Sequence, residues 1–130
     1  MVDAGSTRFD DDALLWRRVP PDRLIYQEPI EAQGDAFRTK GTEDGVSVGI
    51  AEFFISKGQG PEALLEIEPL ADDTWGVLEI TAGEVRAEEG LDVEVDGDDE
   101  SHALIKPPPG RKPARRLSKS ARWAHYPRFP

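Results

Sequence analysis

Leu91-Asp92-Val93-Glu94-Val95-Asp96-Gly97 alternates apolar and acidic residues without a break and ends in an Asp-Gly turn dipeptide. Side chains on a strand point to alternate faces, so Leu91, Val93 and Val95 share one face and the three acids share the other. His102-Ala103-Leu104-Ile105 follows at hairpin distance as the returning strand. The pattern predicts a β-hairpin near 91–105 and, around it, a mixed or antiparallel sheet.

Upstream of the hairpin, Trp75 to Thr81 carries Val77, Leu78 and Ile80 and reads as a buried strand. Ala82 to Glu89, closed by Gly90, reads as a short helix. Pro61 suits the first position of another short helix through Leu65, because that position needs no backbone donor. Ile50, Phe53 and Phe54 fall at helical spacing and predict a helix, although their β-branched and aromatic character also permits a strand. Leu14, Leu15, Trp16 and Val19, then Leu24, Ile25 and Tyr26, are apolar runs of strand length. Residues 28–45, rich in Gly and acids, form a long loop pinned by Phe37. The expected fold is α+β: one small domain with two or three short helices and a basic C-terminal helix.

That last helix is predicted over Pro113 to Trp123, beyond a stiff spacer at Pro107-Pro108-Pro109. At 100° per residue Lys112, Arg115, Lys119 and Arg122 form one stripe, and Ala114, Leu117 and Ala121 the opposite one. Leu117 is the one large apolar anchor, and burying it is worth about 1.5 to 3 kcal/mol, too little to hold an arm of this length. Three segments follow: a disordered acidic lead-in at 1–12, an acidic α+β domain at 13–106, and a proline spacer with a basic helical arm at 107–130. Truncation after Pro109 is expected to leave the domain folded.

Charge follows the same division. All 26 acidic residues lie between Asp3 and Glu100, and eight of the 16 basic residues lie beyond it. The first hundred residues therefore sum to −18 and the last thirty to +8. Surfaces of one sign attract partners of the other. Arg115, Arg116, Lys119, Arg122 and Trp123 are the candidate partner-binding residues of the arm. A protein partner is favoured, because an acidic body repels nucleic acid and offers the arm counter-charges of its own. Nucleic-acid binding is the alternative, supported by the interleaving of Trp123, His125, Tyr126 and Phe129 with Arg122 and Arg128.

Other chemistry is sparse. With no cysteine there is no disulfide and no thiolate metal site. No apolar run approaches the length of a membrane span, and the acidic start is unlike a secretory signal, so residence in the cytoplasm is expected. Asp92, Glu94 and Asp96 before Gly97 resemble the opening of a calcium loop, but the twelfth position, which should be a bidentate acid, is Ala103. No metal and no cofactor are expected. Arg17, Arg18, Ser47 and His102 make up a candidate ligand pocket. No nucleophile elbow or phosphate-cradling loop accompanies them.

Leu15-Trp16-Arg17-Arg18-Val19-Pro20, Ala36-Phe37, Ser47-Val48 with Ala51, Thr81-Ala82-Gly83, Ser101-His102-Ala103-Leu104-Ile105 and the Arg115 to Trp123 helix together resemble a family of small uncharacterised bacterial proteins. The likeness covers roughly residues 13 to 123 and implies a compact unit that includes the basic helix. The chain departs from it at Gln33-Gly34-Asp35, where the family pattern has Arg-Pro-Ser-Ser. The Leu-Trp-Arg opening also resembles small ADP-ribosyltransferase-like toxins, which would imply roles for Arg17, Ser47 and Glu52 around a nicotinamide. The reading that results is a non-enzymatic accessory module that binds another protein in a bacterial assembly through its acidic body or basic arm. Its alternatives are a nucleic-acid binder and a small toxin of the transferase type.

Overall fold

A strand whose successive side chains are apolar on both faces belongs at the centre of a sheet, and Leu15, Trp16 and Val19 have this character. The computed structural model describes residues 9–39, 44–67, 70–97 and 99–129. Its elements in chain order are β1 (Leu14–Val19), β2 (Leu24–Ile25), β3 (Glu31–Ala32), β4 (Val46–Ile50), α1 (Ala51–Ile55), a 3₁₀ turn (Pro61–Glu66), β5 (Gly76–Thr81), α2 (Ala82–Arg86), β6 (Asp92–Asp96), β7 (Asp99–Lys106), α3 (Arg111–Ser120) and β8 (Arg122–His125). A six-stranded sheet runs in the order β6-β7-β4-β1-β5-β8, and every pairing is antiparallel. β2 and β3 form a second, two-stranded sheet. The fold is a small α+β domain.

The predicted hairpin is β6–β7. Gly97 supplies the left-handed φ of +61° at its turn, and a register shift falls between Val95 and Asp96. The side-chain alternation then builds two cores. Leu15, Val19, Leu78, Ile80, Val93, Ala103 and Ile105 face α2, α3 and the buried Phe37. On the opposite face Trp16 and Val77 pack against Phe54 of α1 and Leu64 and Leu65 of the 3₁₀ turn. Thr81 starts α2 through a capping box: its hydroxyl accepts from the Glu84 amide, and the Glu84 carboxylate accepts from the Thr81 amide. The loop at 28–45 is pinned by Phe37 as expected, and its described part also holds β3.

The described residues of the expected arm, 107–129, pack onto the domain. Ala114 and Leu117 are fully buried in the larger core, and Pro109 and Pro127 are buried as well. The helix also stops earlier than its charge stripe suggests. Ala121 turns to extended backbone (φ −75°, ψ 161°), and Arg122–His125 continue as an edge strand paired to β5. What the Leu117 contact lacks in energy is supplied by sheet pairing and by Trp123, whose ring lies over Gly76. His125, expected in a loose tail, is half-buried in β8.

Of the acidic lead-in expected at 1–12, the described residues 9–12 dock onto the domain. The expectation for residues 1–8 lies outside the described residues. Phe9 packs against the larger core, and the Asp11 carbonyl accepts from the Gly83 amide at 2.8 Å. Asp11 also pairs with Arg86 at 2.6 Å, so this acidic run is docked onto the start of α2.

Candidate functional site

One face of α3 is buried through Ala114 and Leu117, which turns its cations outward. They divide into two sets. Arg116 Nε donates to Glu88 at 2.7 Å. Arg122, two residues beyond the helix end, pairs with Glu79 at 3.2 Å and Glu84 at 3.4 Å. These two arginines tie the C-terminal segment to the acidic body. Arg111, Lys112, Arg115 and Lys119 are exposed and make no ion pair among the described residues. Arg38, half-buried in the loop facing α3, also makes no ion pair among the described residues.

Between α3, β8 and the β3 loop lies a groove of about 500 Å³, lined among others by Glu31, Gly34, Leu78, Ser118, Lys119 and Trp123. Ser118 Oγ donates to the Gln33 carbonyl at 3.2 Å and holds helix and loop together on one side. Trp123 closes the other side. Its Nε1 donates to the Ile30 carbonyl at 3.0 Å, while the Ile30 amide donates to the Tyr126 hydroxyl at 2.7 Å. Two aromatic side chains thus clamp one loop residue. Trp123 also anchors the fold through this contact, and Arg115 and Lys119 border the groove without an ion pair among the described residues. Arg115 also borders a smaller neighbouring concavity with Arg38 and Arg111. Neither of those two stood out in the sequence, because Arg38 is remote in the chain and Arg111 follows the prolines.

The four candidate pocket residues meet on the other side of the molecule. The registers place Trp16, Gly49 and His102 in one row across β1, β4 and β7, with Ser47 further along β4. Small residues on the middle strand leave a trough of about 400 Å³ lined by Arg17, Arg18, Ser47 and His102 among others. Hydrogen bonding largely consumes the basic groups there. Arg17 donates to the carbonyls of Ala36 at 3.1 Å, Ser47 at 2.9 Å and Arg38 at 3.4 Å. Arg18 donates to the carbonyls of Leu64 at 3.1 Å and Ile67 at 3.0 Å, and its guanidinium lies 5.3 Å from the Trp75 ring centre. Burial pushes the Arg18 pKa down from the ordinary arginine value, without discharging a group of such high basicity. His102 Nδ1 lies 2.6 Å from Asp96 on the paired strand.

Glu52, the third residue implied by the toxin resemblance, is exposed on α1 and lines a different concavity with Phe9, Asp12 and Leu14. The structure does not bring Arg17, Ser47 and Glu52 together. Asp92 of the calcium-like run accepts from Arg86 Nε at 2.8 Å, and no three acidic or imidazole groups among the described residues are placed to hold a metal ion. Asp98 of that run lies outside the described residues. Comparison with family models, curated proteins and solved structures finds no match to this chain.

Proposed function

We propose that the chain is a non-enzymatic interaction module that binds another protein, and that it does so through the groove beside α3. One observation carries the reading. In a molecule with a large excess of acid, Arg115 and Lys119 border a groove without an ion pair among the described residues, while their neighbours Arg116 and Arg122 are neutralised. Unpaired cations around an apolar floor of Leu78 and Trp123 suit an acidic segment of a partner that also carries an apolar side chain. A phosphate ladder fits less well, because Glu31 stands in the rim and the first hundred residues repel polyanions. The sheet-face trough favours no reaction, since Arg17 and Arg18 are held by backbone carbonyls.

Fluorescence anisotropy at physiological salt tests this with a Glu-rich peptide containing spaced leucines and with single-stranded DNA of equal charge. The peptide is expected to bind with an affinity on the order of micromolar, and Arg115→Glu with Lys119→Glu to abolish binding. Tighter binding of the DNA would transfer the site to the nucleic-acid reading. Absence of both would remove the groove as a docking surface.

A further inference from the structure

Next to the groove, at the start of α3, Gln33, Gly34, Asp35, Arg38, Arg111 and Arg115 enclose a concavity of about 320 Å³. Three guanidinium groups come from two elements distant in sequence, Arg38 from the loop and Arg111 and Arg115 from successive turns of the helix. None of the three has an ion pair among the described residues. Asp35, the one carboxylate in the lining, leaves its Oδ1 buried without a hydrogen-bond partner. Three positive charges against one negative leave two in excess. The first turn of α3 adds to the imbalance, since it contains no acidic residue and Gly110 offers no side-chain cap.

From this convergence we infer a binding site for a phosphoryl dianion. Guanidinium forks match phosphate oxygens two at a time, and a phosphate monoester carries about −1.5 to −2 at neutral pH, which balances the excess. The Asp35 Oδ1 would accept a hydrogen bond from a peptide N–H or from a protonated phosphate oxygen. No aromatic or large apolar side chain lines the concavity. The chemistry fits a phosphorylated side chain or free inorganic phosphate. This site shares only Gly34 and Arg115 with the docking groove and can stand or fall without it.

The experiment uses the full chain, with thermal shift and isothermal titration against inorganic phosphate, a phosphoserine peptide and the same peptide unphosphorylated. Phosphate is expected to raise Tm, and the phosphopeptide to bind about tenfold or more tightly than its unmodified counterpart. Arg38→Gln and Arg111→Gln should each remove both effects, and Lys57→Gln, whose lysine lines neither concavity, should leave them in place. Arg111 is exposed, so its variant retains the test if Arg38→Gln fails to fold. Binding of phosphate without a preference for the phosphopeptide would assign the site to the free anion. No shift with either probe, or equal shifts in wild type and Arg111→Gln, would overturn the inference whatever the acidic peptide does at the groove.

Discussion

Gly76 and Trp123 show how much of this fold turns on single contacts. A Cβ at Gly76 would come within 2.3 Å of Trp123 Cζ3, so the ring of the edge strand needs a residue without a side chain beneath it. Gly76→Ala is expected to expel the ring, break the Trp123 bond to Ile30 and cost about 1 to 3 kcal/mol, read as a lower midpoint in urea unfolding. An unchanged midpoint would mean that the ring contributes nothing where it lies. Neither half of this pair was legible in the chain, because a glycine before Val77 reads as a strand boundary and Trp123 reads as the end of a helix. Arg17 and Arg18 teach a similar lesson. Their adjacency predicts opposite directions on a strand, and they do diverge, but the carbonyls that hold them, at Ala36, at Ser47 of β4 and at Leu64 and Ile67 of the 3₁₀ turn and its end, are remote in the chain and no local pattern announces them.

At the scale of elements, periodicity was informative wherever burial was one-sided. The β6–β7 hairpin, β5, α1 and the helices opening at Pro61 and Ala82 follow from alternation, helical spacing and turn residues. β8 was hidden for a physical reason. It is four residues long, its residues are intermediate or exposed, and the charge stripe of α3 runs on into Arg122 as though the helix continued. Its pairing with β5 makes the C-terminal segment part of the domain. Leu117→Ala is expected to destabilise the protein by about 2 to 5 kcal/mol, the range for a truncated buried leucine. Ending the chain at Pro109 should abolish cooperative unfolding, since it also removes Ala114 from the core and an edge from the sheet. A truncated chain that still unfolded in one sharp transition would restore the separate arm.

Over the whole molecule, the separation of charge along the chain is visible in the sequence, and the structure shows how far it is neutralised. Lys106–Glu94, Arg116–Glu88, Arg122–Glu79 and Arg128–Asp73 each join the basic C-terminal thirty residues to the acidic body. The last of them closes the C-terminal stretch, together with the Arg128 amide on the Asp73 carbonyl and the Tyr26–Phe129 ring pair. The hydrogen bond from Arg128 holds the Asp73 carboxyl below the usual carboxylate range, and the Thr74 hydroxyl and amide do the same for Asp72. A carboxylate whose folded pKa is lowered stabilises the fold in full above its unfolded value of about 3.9, and that contribution is lost as the pH falls through the folded value. Asp73→Asn should therefore lower the urea midpoint at neutral pH, by a small amount because the pair is exposed and screened by solvent. The difference between variant and wild type should close as the pH falls below the unfolded value of about 3.9 and through the lowered folded value. A difference that stayed constant from neutral to acid pH would show that the substitution acts through something other than the Asp73 charge.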